Sequence, residues 1–401
     1  PFYIKGGGGQ TQLDVLIAAG GNTIRTWGTE NAQSILDEAQ AKGLKVMMGL
    51  WVQHERHGFD YNNEAKVRSQ LENFRREVRK YKDHPALLLW GIGNEYELNY
   101  SNTKVWKAVN DIAKMVHEED PNHPTSTVTA GTNATKLDFV MKELTEIDIY
   151  GINTYADIGN VKKVIKNGGF KGPYMITEWG PTGHWESPNT MWGVAVEQTS
   201  KEKAASYLNR YQEFIAKERK QCVGSFAFVW GHKQEYTSTW YGLFTEDDMP
   251  TEAIDELYYC WSGKYPENRA PTIEQITFNG AALTKNLVLT GRDKYEFAVV
   301  ASDLNKDKLR YRWELFPEST DKKTGGDAEN KPPQIYGKIK GGNVPSIRLK
   351  APAEEGRYRL FLFVDDGEKV AYLNVPFYVE MSNEEVQRIQ LKKKELEPIE
   401  Y

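Results

Sequence analysis

The sequence predicts an α/β protein: a (β/α)8 TIM barrel followed by a small all-β, immunoglobulin-like sandwich domain. Three observations predict it. Eight apolar strand segments alternate with eight helical stripes over roughly 260 residues, the usual size of a closed eight-unit barrel. Hairpin signals are few across that stretch, and the regular repeat favours closure over an open doubly wound sheet. After Gly263 the texture changes to short alternating strands separated by turn residues. The expected division is 1–264 for the barrel, 265–381 for the sandwich and 382–401 for a charged C-terminal helix that opens with a capping box of Ser382 and Glu385.

Taken in order, Phe2-Tyr3-Ile4-Lys5 reads as the first strand and runs into the glycines at 6–9. Leu13, Leu16 and Ile17 then mark a helix closed by Gly20-Gly21. The second strand, Asn22 to Gly28, contains Arg25, and the helix behind it carries Ile35, Leu36 and Ala39. Lys45 to Val52 is the third strand, and Val67, Leu71, Phe74 and Val78 form the inner stripe of a long charged helix. The fourth strand, Leu87-Leu88-Leu89-Trp90-Gly91-Ile92, is apolar on both faces, as in a helix-covered parallel sheet, and ends in Gly93-Asn94-Glu95. Val105, Val109, Ile112 and Val116 mark the next helix, Thr125 to Thr129 the fifth strand, and Leu137, Val140, Met141 and Leu144 the helix after it. The sixth strand is Ile147 to Tyr155, followed by a helix with Val161, Val164 and Ile165. The seventh, Pro173-Tyr174-Met175-Ile176-Thr177-Glu178-Trp179-Gly180, also ends in a glutamate. A long loop leads to a helix expected from about Lys201 to Lys220. Gly224 to Trp230 is the eighth strand and Glu252 to Trp261 the last barrel helix.

Tyr265-Pro266-Glu267-Asn268-Arg269-Ala270-Pro271 reads as a linker. Strands are expected beyond it at Leu287–Leu289, Tyr295–Val300, Leu309–Leu315 and Tyr358–Val364. The stretch Ala301 to Asp307, followed by Leu309, Tyr311 and Trp313, resembles extracellular immunoglobulin-like modules.

Composition narrows the class of partner. A formal net charge of −5 disfavours nucleic acid, and no apolar run approaches the ~18 residues of a membrane span. The two cysteines, Cys222 and Cys260, do not make a disulfide scaffold and read as two buried thiols. The chain starts at Pro1 and enters a strand at once, so it is expected to be a mature or trimmed form. Twenty-two Tyr, 15 Phe and 11 Trp leave many rings for the core and several for stacking on flat sugar faces.

The chemistry follows from two strand-end acids. Catalytic groups of a (β/α)8 barrel stand at the carboxyl ends of its strands. Glu95 and Glu178 end strands four and seven, which lie across the barrel, so both can converge on one sugar. Hydrolysis of a glycoside with retention needs such a pair, about 5–5.5 Å apart. A single strand-end glutamate would be read as an ordinary loop acid; the pair, flanked by Asn94 and by Thr177-Glu178-Trp179-Gly180, points to the chemistry. Taken singly, Arg25 reads as a structural charge, Tyr155 as a rim residue and Trp230 as core. His54 and His57 have His-x-x-His spacing but lie in an expected loop without an obvious cysteine or carboxylate co-ligand, so no metal is expected and His54 is read as a substrate contact. The glycines at 6–9 do not fit Gly-x-Gly-x-x-Gly, because Thr11 takes the last place; their backbone is expected to turn tightly under a sugar. No Gly-x-Ser-x-Gly elbow occurs.

Trp90-Gly91-Ile92-Gly93-Asn94-Glu95 and Ile176-Thr177-Glu178-Trp179-Gly180 resemble the acid/base and nucleophile strands of the clan A retaining (β/α)8 glycoside hydrolases. The order of barrel and sandwich is most similar to bacterial endo-β-1,3-glucanases of glycoside hydrolase family 158, and the Ile4-Lys5-Gly6 start resembles fungal β-1,3-glucanosyltransferases and family 2 barrels. The resemblance implies Glu95 as general acid/base and Glu178 as nucleophile. It implies that Asn94 binds the sugar 2-hydroxyl, that Arg25 and Tyr155 flank the nucleophile, and that Trp230 is the aromatic platform. Asn153, at the end of strand six, is taken as a further substrate contact. Seven tryptophans fall at strand ends or in the following loops. Trp185 and Trp192 are expected to grip sugars further along, with Trp27 and Trp51 in the core. The implied activity is double-displacement cleavage of a β-glucan, endo-acting on β-1,3 linkages. Transglycosylation, another β-glycosidase activity of the clan and non-catalytic carbohydrate binding are the alternatives. No cofactor is implied, and the implied location is secreted, periplasmic or bacterial cell-surface.

Overall fold

A computed structural model describes residues 2–381; the expected C-terminal helix with its Ser382–Glu385 capping box lies outside the described residues. The first eight strands close into a barrel in chain order, every neighbour parallel. They are β1 (Ile4–Gly8), β2 (Thr23–Arg25), β3 (Lys45–Leu50), β4 (Leu87–Ile92), β5 (Thr125–Ala130), β6 (Ile149–Asn153), β7 (Tyr174–Trp179) and β8 (Cys222–Ala227). The helices between and after them are α1 (Leu13–Ala18), α2 (Ala32–Ala41), α3 (Glu64–Tyr81), α4 (Lys104–Glu119), α5 (Ala134–Glu143), α6 (Ile158–Asn167), α7 (Ser200–Arg210) and α8 (Glu252–Ser262). Inside the barrel, Ile4, Met47, Leu89, Val128, Met175 and Phe226 form a layer of their own. The larger core lies between strands and helices, where Ile24, Trp90, Ile112, Ile176 and Trp179 are buried. That arrangement leaves the carboxyl ends of the strands as the place for polar groups.

Local chemistry sets several boundaries. The Asn63 side chain accepts from the Lys66 backbone N–H at 3.1 Å and starts α3. Thr199 and Glu202 form a reciprocal capping box at α7. The regular part of α7 stops at Arg210, short of the expected Lys220. A wider turn, Tyr211–Ile215, follows and buries both Tyr211 and Ile215. β1 also differs from expectation, because it runs through the glycines. A Cβ at Gly6 would lie 2.3 Å from the Phe226 ring and one at Gly7 2.7 Å from Trp230. These glycines are the footprint of aromatic side chains around β8, and none of them lines the cavity described below.

Beyond α8 two sheets face each other. One has the order β10 (Ala281–Ala282), β9 (Thr272–Phe278), β12 (Lys294–Ser302), β15 (Ser346–Lys350), β14 (Ile339–Lys340). The other has β11 (Leu287–Thr290), β17 (Val370–Glu380), β16 (Gly356–Asp365), β13 (Arg310–Pro317). All pairs are antiparallel except β11 with β17. Leu289, Phe297, Leu315, Leu349, Leu360 and Phe377 are among the residues that fill the space between them.

The sandwich is bonded to the barrel through buried polar groups. Lys203 on α7 pairs with Glu197 at 2.5 Å and donates to the Tyr372 hydroxyl at 3.2 Å. Asn374 donates to Glu197 at 2.6 Å, and Arg359 donates to the Ala195 carbonyl at 3.0 Å while paired with Glu318. No helix among the described residues is long and apolar enough to cross a membrane.

Candidate active site

Seven strand ends and one loop of the sandwich line a cavity of about 730 Å3 at the barrel mouth. That volume lies within the ~300–1,000 Å3 usual for small-molecule sites. Glu178, on β7, and Glu95, just beyond β4, both face into it. Glu95 has a left-handed backbone (φ 49°), and its N–H donates to the Val128 carbonyl of β5 at 2.9 Å.

The two carboxyls are joined by one chain of hydrogen bonds. Asn153 Nδ2 donates to Glu95 Oε1 at 2.9 Å and to Asn94 Oδ1 at 3.1 Å. Arg25 donates through one Nη to the same Asn94 oxygen at 2.6 Å and through the other to Glu178 Oε1 at 3.0 Å. Asn153 is oriented without ambiguity: its oxygen accepts from the Thr177 hydroxyl at 2.8 Å, and its amide nitrogen meets only acceptors. Glu178 receives two further donors, Trp27 Nε1 at 3.0 Å and the Tyr155 hydroxyl at 3.1 Å.

The two acids therefore sit in different fields. Glu178 is ringed by a buried guanidinium, an indole N–H and a phenol. Burial first, and then the charge of Glu178, push the Glu95 carboxyl up to about 7, with the Asn153 amide pulling the other way. One group held by cationic and neutral donors and a second kept protonated near neutrality are the requirements for a nucleophile and an acid.

Arg25, Asn94, Glu95, Asn153, Tyr155 and Glu178 are thus brought together, and Trp185 lines the same cavity, 60% exposed and edge-on to Tyr155 at 5.5 Å. Three expected contacts lie elsewhere. Trp230 is 1% exposed, stacked on Trp261 at 5.8 Å between barrel and helices. The resemblance put Trp230 at the end of a strand running to that position, but β8 stops at Ala227, and Phe228 is the ring that faces the cavity. His54 is fully buried behind Trp51, their rings 4.7 Å apart, and burial pushes its imidazole down to about 4. Trp192 packs against Tyr378 of the sandwich at 6.0 Å.

Trp27 and Trp51 correct the expectation in the opposite sense, since both line the cavity. The signal for Trp27 was available: it follows Arg25 by two positions and shares its strand face. Lys233 and Glu235, from the loop after β8, and Lys323, Thr324, Gly325 and Gly326, from the sandwich, carried no sequence signal. A group of acidic residues close enough to hold a cation, Asp303, Asp307 and Asp366, stands on the sandwich and lines no part of this cavity.

Residues 26–264 match the family model for the TIM barrel domain of glycosyl hydrolases family 2. Among solved structures, the chain is similar to a putative β-galactosidase from Bacteroides fragilis at 16% identity and a TM-score of 0.47, over 94% of this chain and 52% of that one. It is similar to Bifidobacterium dentium β-glucuronidase at 19% identity and a TM-score of 0.49, over 66% of this chain and 48% of that one. An endo-β-1,4-mannanase from Thermotoga petrophila aligns over 95% of this chain and 98% of its own at 11% identity and a TM-score of 0.44. The chain spans about half the length of the first two.

Proposed function

The chain belongs to the glycosyl hydrolases of family 2 through their TIM barrel domain, and on that premise we propose that it hydrolyses a β-glycoside by double displacement with net retention. The observation that carries the reading is the pair of strand-end glutamates in one cavity, differently held and linked through Asn153, Asn94 and Arg25. Glu178 attacks the anomeric carbon while Glu95 gives its proton to the departing glycosidic oxygen. The bond to the leaving alcohol breaks and an ester to Glu178 forms. Glu95, now ionised, takes a proton from water. The resulting hydroxide attacks the same carbon from the opposite face, and Glu178 leaves as carboxylate. Within this class we take a β-1,3-glucan as substrate, on the likeness of the barrel-plus-sandwich order and of the spacing of the two glutamates.

Glu178→Gly tests the roles. It should abolish turnover, and azide should restore it with an α-glycosyl azide as product. Glu95→Ala should be rescued with the β-azide on an activated aryl glycoside. Swapped azide products would exchange the two assignments. Laminarin should be the best substrate in a panel with lichenan, mannan, galactan and cyclic β-1,2-glucan; a preference for mannan or galactan would replace the glucan reading and leave the mechanism standing.

A further inference from the structure

The connection from β13 to β14, residues 318–338, does not stay with the sandwich. It crosses to the barrel and is held on two sides of its mouth. On the β8 side, the Tyr236 N–H donates to Glu329 at 2.6 Å, the Lys322 ammonium sits 3.7 Å over the Tyr236 ring, and Lys233 donates to the Gly326 carbonyl at 2.8 Å. On the β3 side, Asp327 meets Arg56 at 3.3 Å and His57 at 2.8 Å. Because the strands follow chain order around the barrel, a span from β8 to β3 passes over β1 and β2.

The turn at its tip has no spare room. Gly325 and Gly326 have φ of 67° and 71°. A Cβ on the first would stand 2.7 Å from Arg56 and one on the second 2.7 Å from Lys233. The opposite side of the mouth, formed by the loops after β5, β6 and β7, offers Gly131, Asp157 and the exposed ring of Trp185.

We propose that this crossing segment is the element that sets substrate length: it walls one side of the cleft, over β1 and β2, so that few sugar units fit beyond the reacting one in that direction. The proposal rests on the roles given above to Glu95 and Glu178. Under the tip, Lys233 pairs with Glu235 at 2.7 Å, and Glu235 is raised by burial and also feels the charge of Glu178. At the other anchor Arg56, paired with Asp327, donates to the Glu95 carbonyl at 3.4 Å, so the segment is bonded to the loop that carries the acid as well. The sugar favoured is a neutral one. Five carboxyls line the cavity, Glu95, Asp157, Glu178, Glu186 and Glu235, and its lysines are engaged, Lys233 by Glu235 and Lys323 by the Ala328 carbonyl.

The test is the product pattern from laminarin and from reducing-end-labelled laminari-oligosaccharides. The wild-type chain should release one short size class from the first time points. Asp327→Ala, and a variant with residues 322–328 replaced by two glycines, should yield a ladder. Internal relative to terminal cleavage should rise about tenfold, the scale of discrimination one pocket wall supplies. Hydrolysis of an aryl β-glycoside by Asp327→Ala, at a position outside the cavity lining, should stay within a few-fold of wild type. A mixed ladder from the wild-type chain at the outset would overturn the proposal, whether or not the variants fold. So would an unchanged pattern after the segment is replaced. In both cases continued aryl-glycoside hydrolysis would keep the double-displacement reading intact, whereas its absence in the wild type would remove that reading itself.

Discussion

Asn153→Ala gives the most direct access to the electrostatics of the cavity. The Asn153 amide N–H donates to Glu95 at 2.9 Å, and it favours the ionised carboxylate. A hydrogen bond to a charged group contributes ~1.5–3 kcal/mol. Because Glu95 is partly open to the cavity, the lower end applies. At about 1.4 kcal/mol per unit, that is a shift of about one unit. The sign is upward: without the donor the ionised form is less favoured, so the proton is held to higher pH. The wild-type kcat/KM on an oligosaccharide, whose departing alcohol needs the proton, should fall as pH rises through about 7. In Asn153→Ala the fall should come about one unit higher. An aryl glycoside with an acidic leaving group should show neither fall, since that alcohol departs unprotonated. Measuring both substrates across pH separates a change in Glu95 from a general loss of fold. An alkaline limb that stays in place, or moves down, would refute the link between Asn153 and the proton on Glu95.

Two further outcomes are expected. Trp230→Ala should act on stability, losing about 3–5 kcal/mol in urea denaturation as a buried aromatic removed from a packed core, with little change in KM for what remains folded. A large KM effect at unchanged stability would put its ring on the substrate after all. Trp185→Ala should weaken substrates that extend past the reacting sugar by roughly fivefold, from about 1 kcal/mol of stacking, and leave an aryl monoglycoside unaffected. Equal losses on both would place the ring against the reacting sugar.

Residues at regular strand ends were legible in the sequence. Arg25, Asn94, Glu95, Asn153, Tyr155 and Glu178 stand on, or within three positions of the end of, an element whose apolar pattern marks its place. Trp230 failed because the expected strand ran to position 230, whereas β8 stops at Ala227 and Phe228 takes the cavity-facing place. His54 and Trp192 failed for a related reason: both sit in loops, and their burial is decided by Trp51 and by Tyr378, partners distant in kind or in sequence. The glycines at 6–9 show the same limit. Their spacing spoke of a tight turn, but Gly6 and Gly7 are there for the side chains of Phe226 and Trp230, more than two hundred positions away. The segment across the mouth was illegible, since nothing in residues 318–338 marks them as belonging to a site built by another domain.

The buried bonds between sandwich and barrel also bear on how the chain is made. Synthesis delivers the barrel first, and domains generally fold as they emerge. A barrel newly released from the ribosome still lacks Tyr372 and Asn374 to cover Lys203 and Glu197, and it has no segment over its mouth. Until β17, the last described strand, is complete, that pair has only its barrel partners, Thr237 and Thr239. A nascent chain therefore holds both glutamates well before it holds the finished cavity, and shuffling the barrel onto a different partner domain would transplant the reaction without its selectivity.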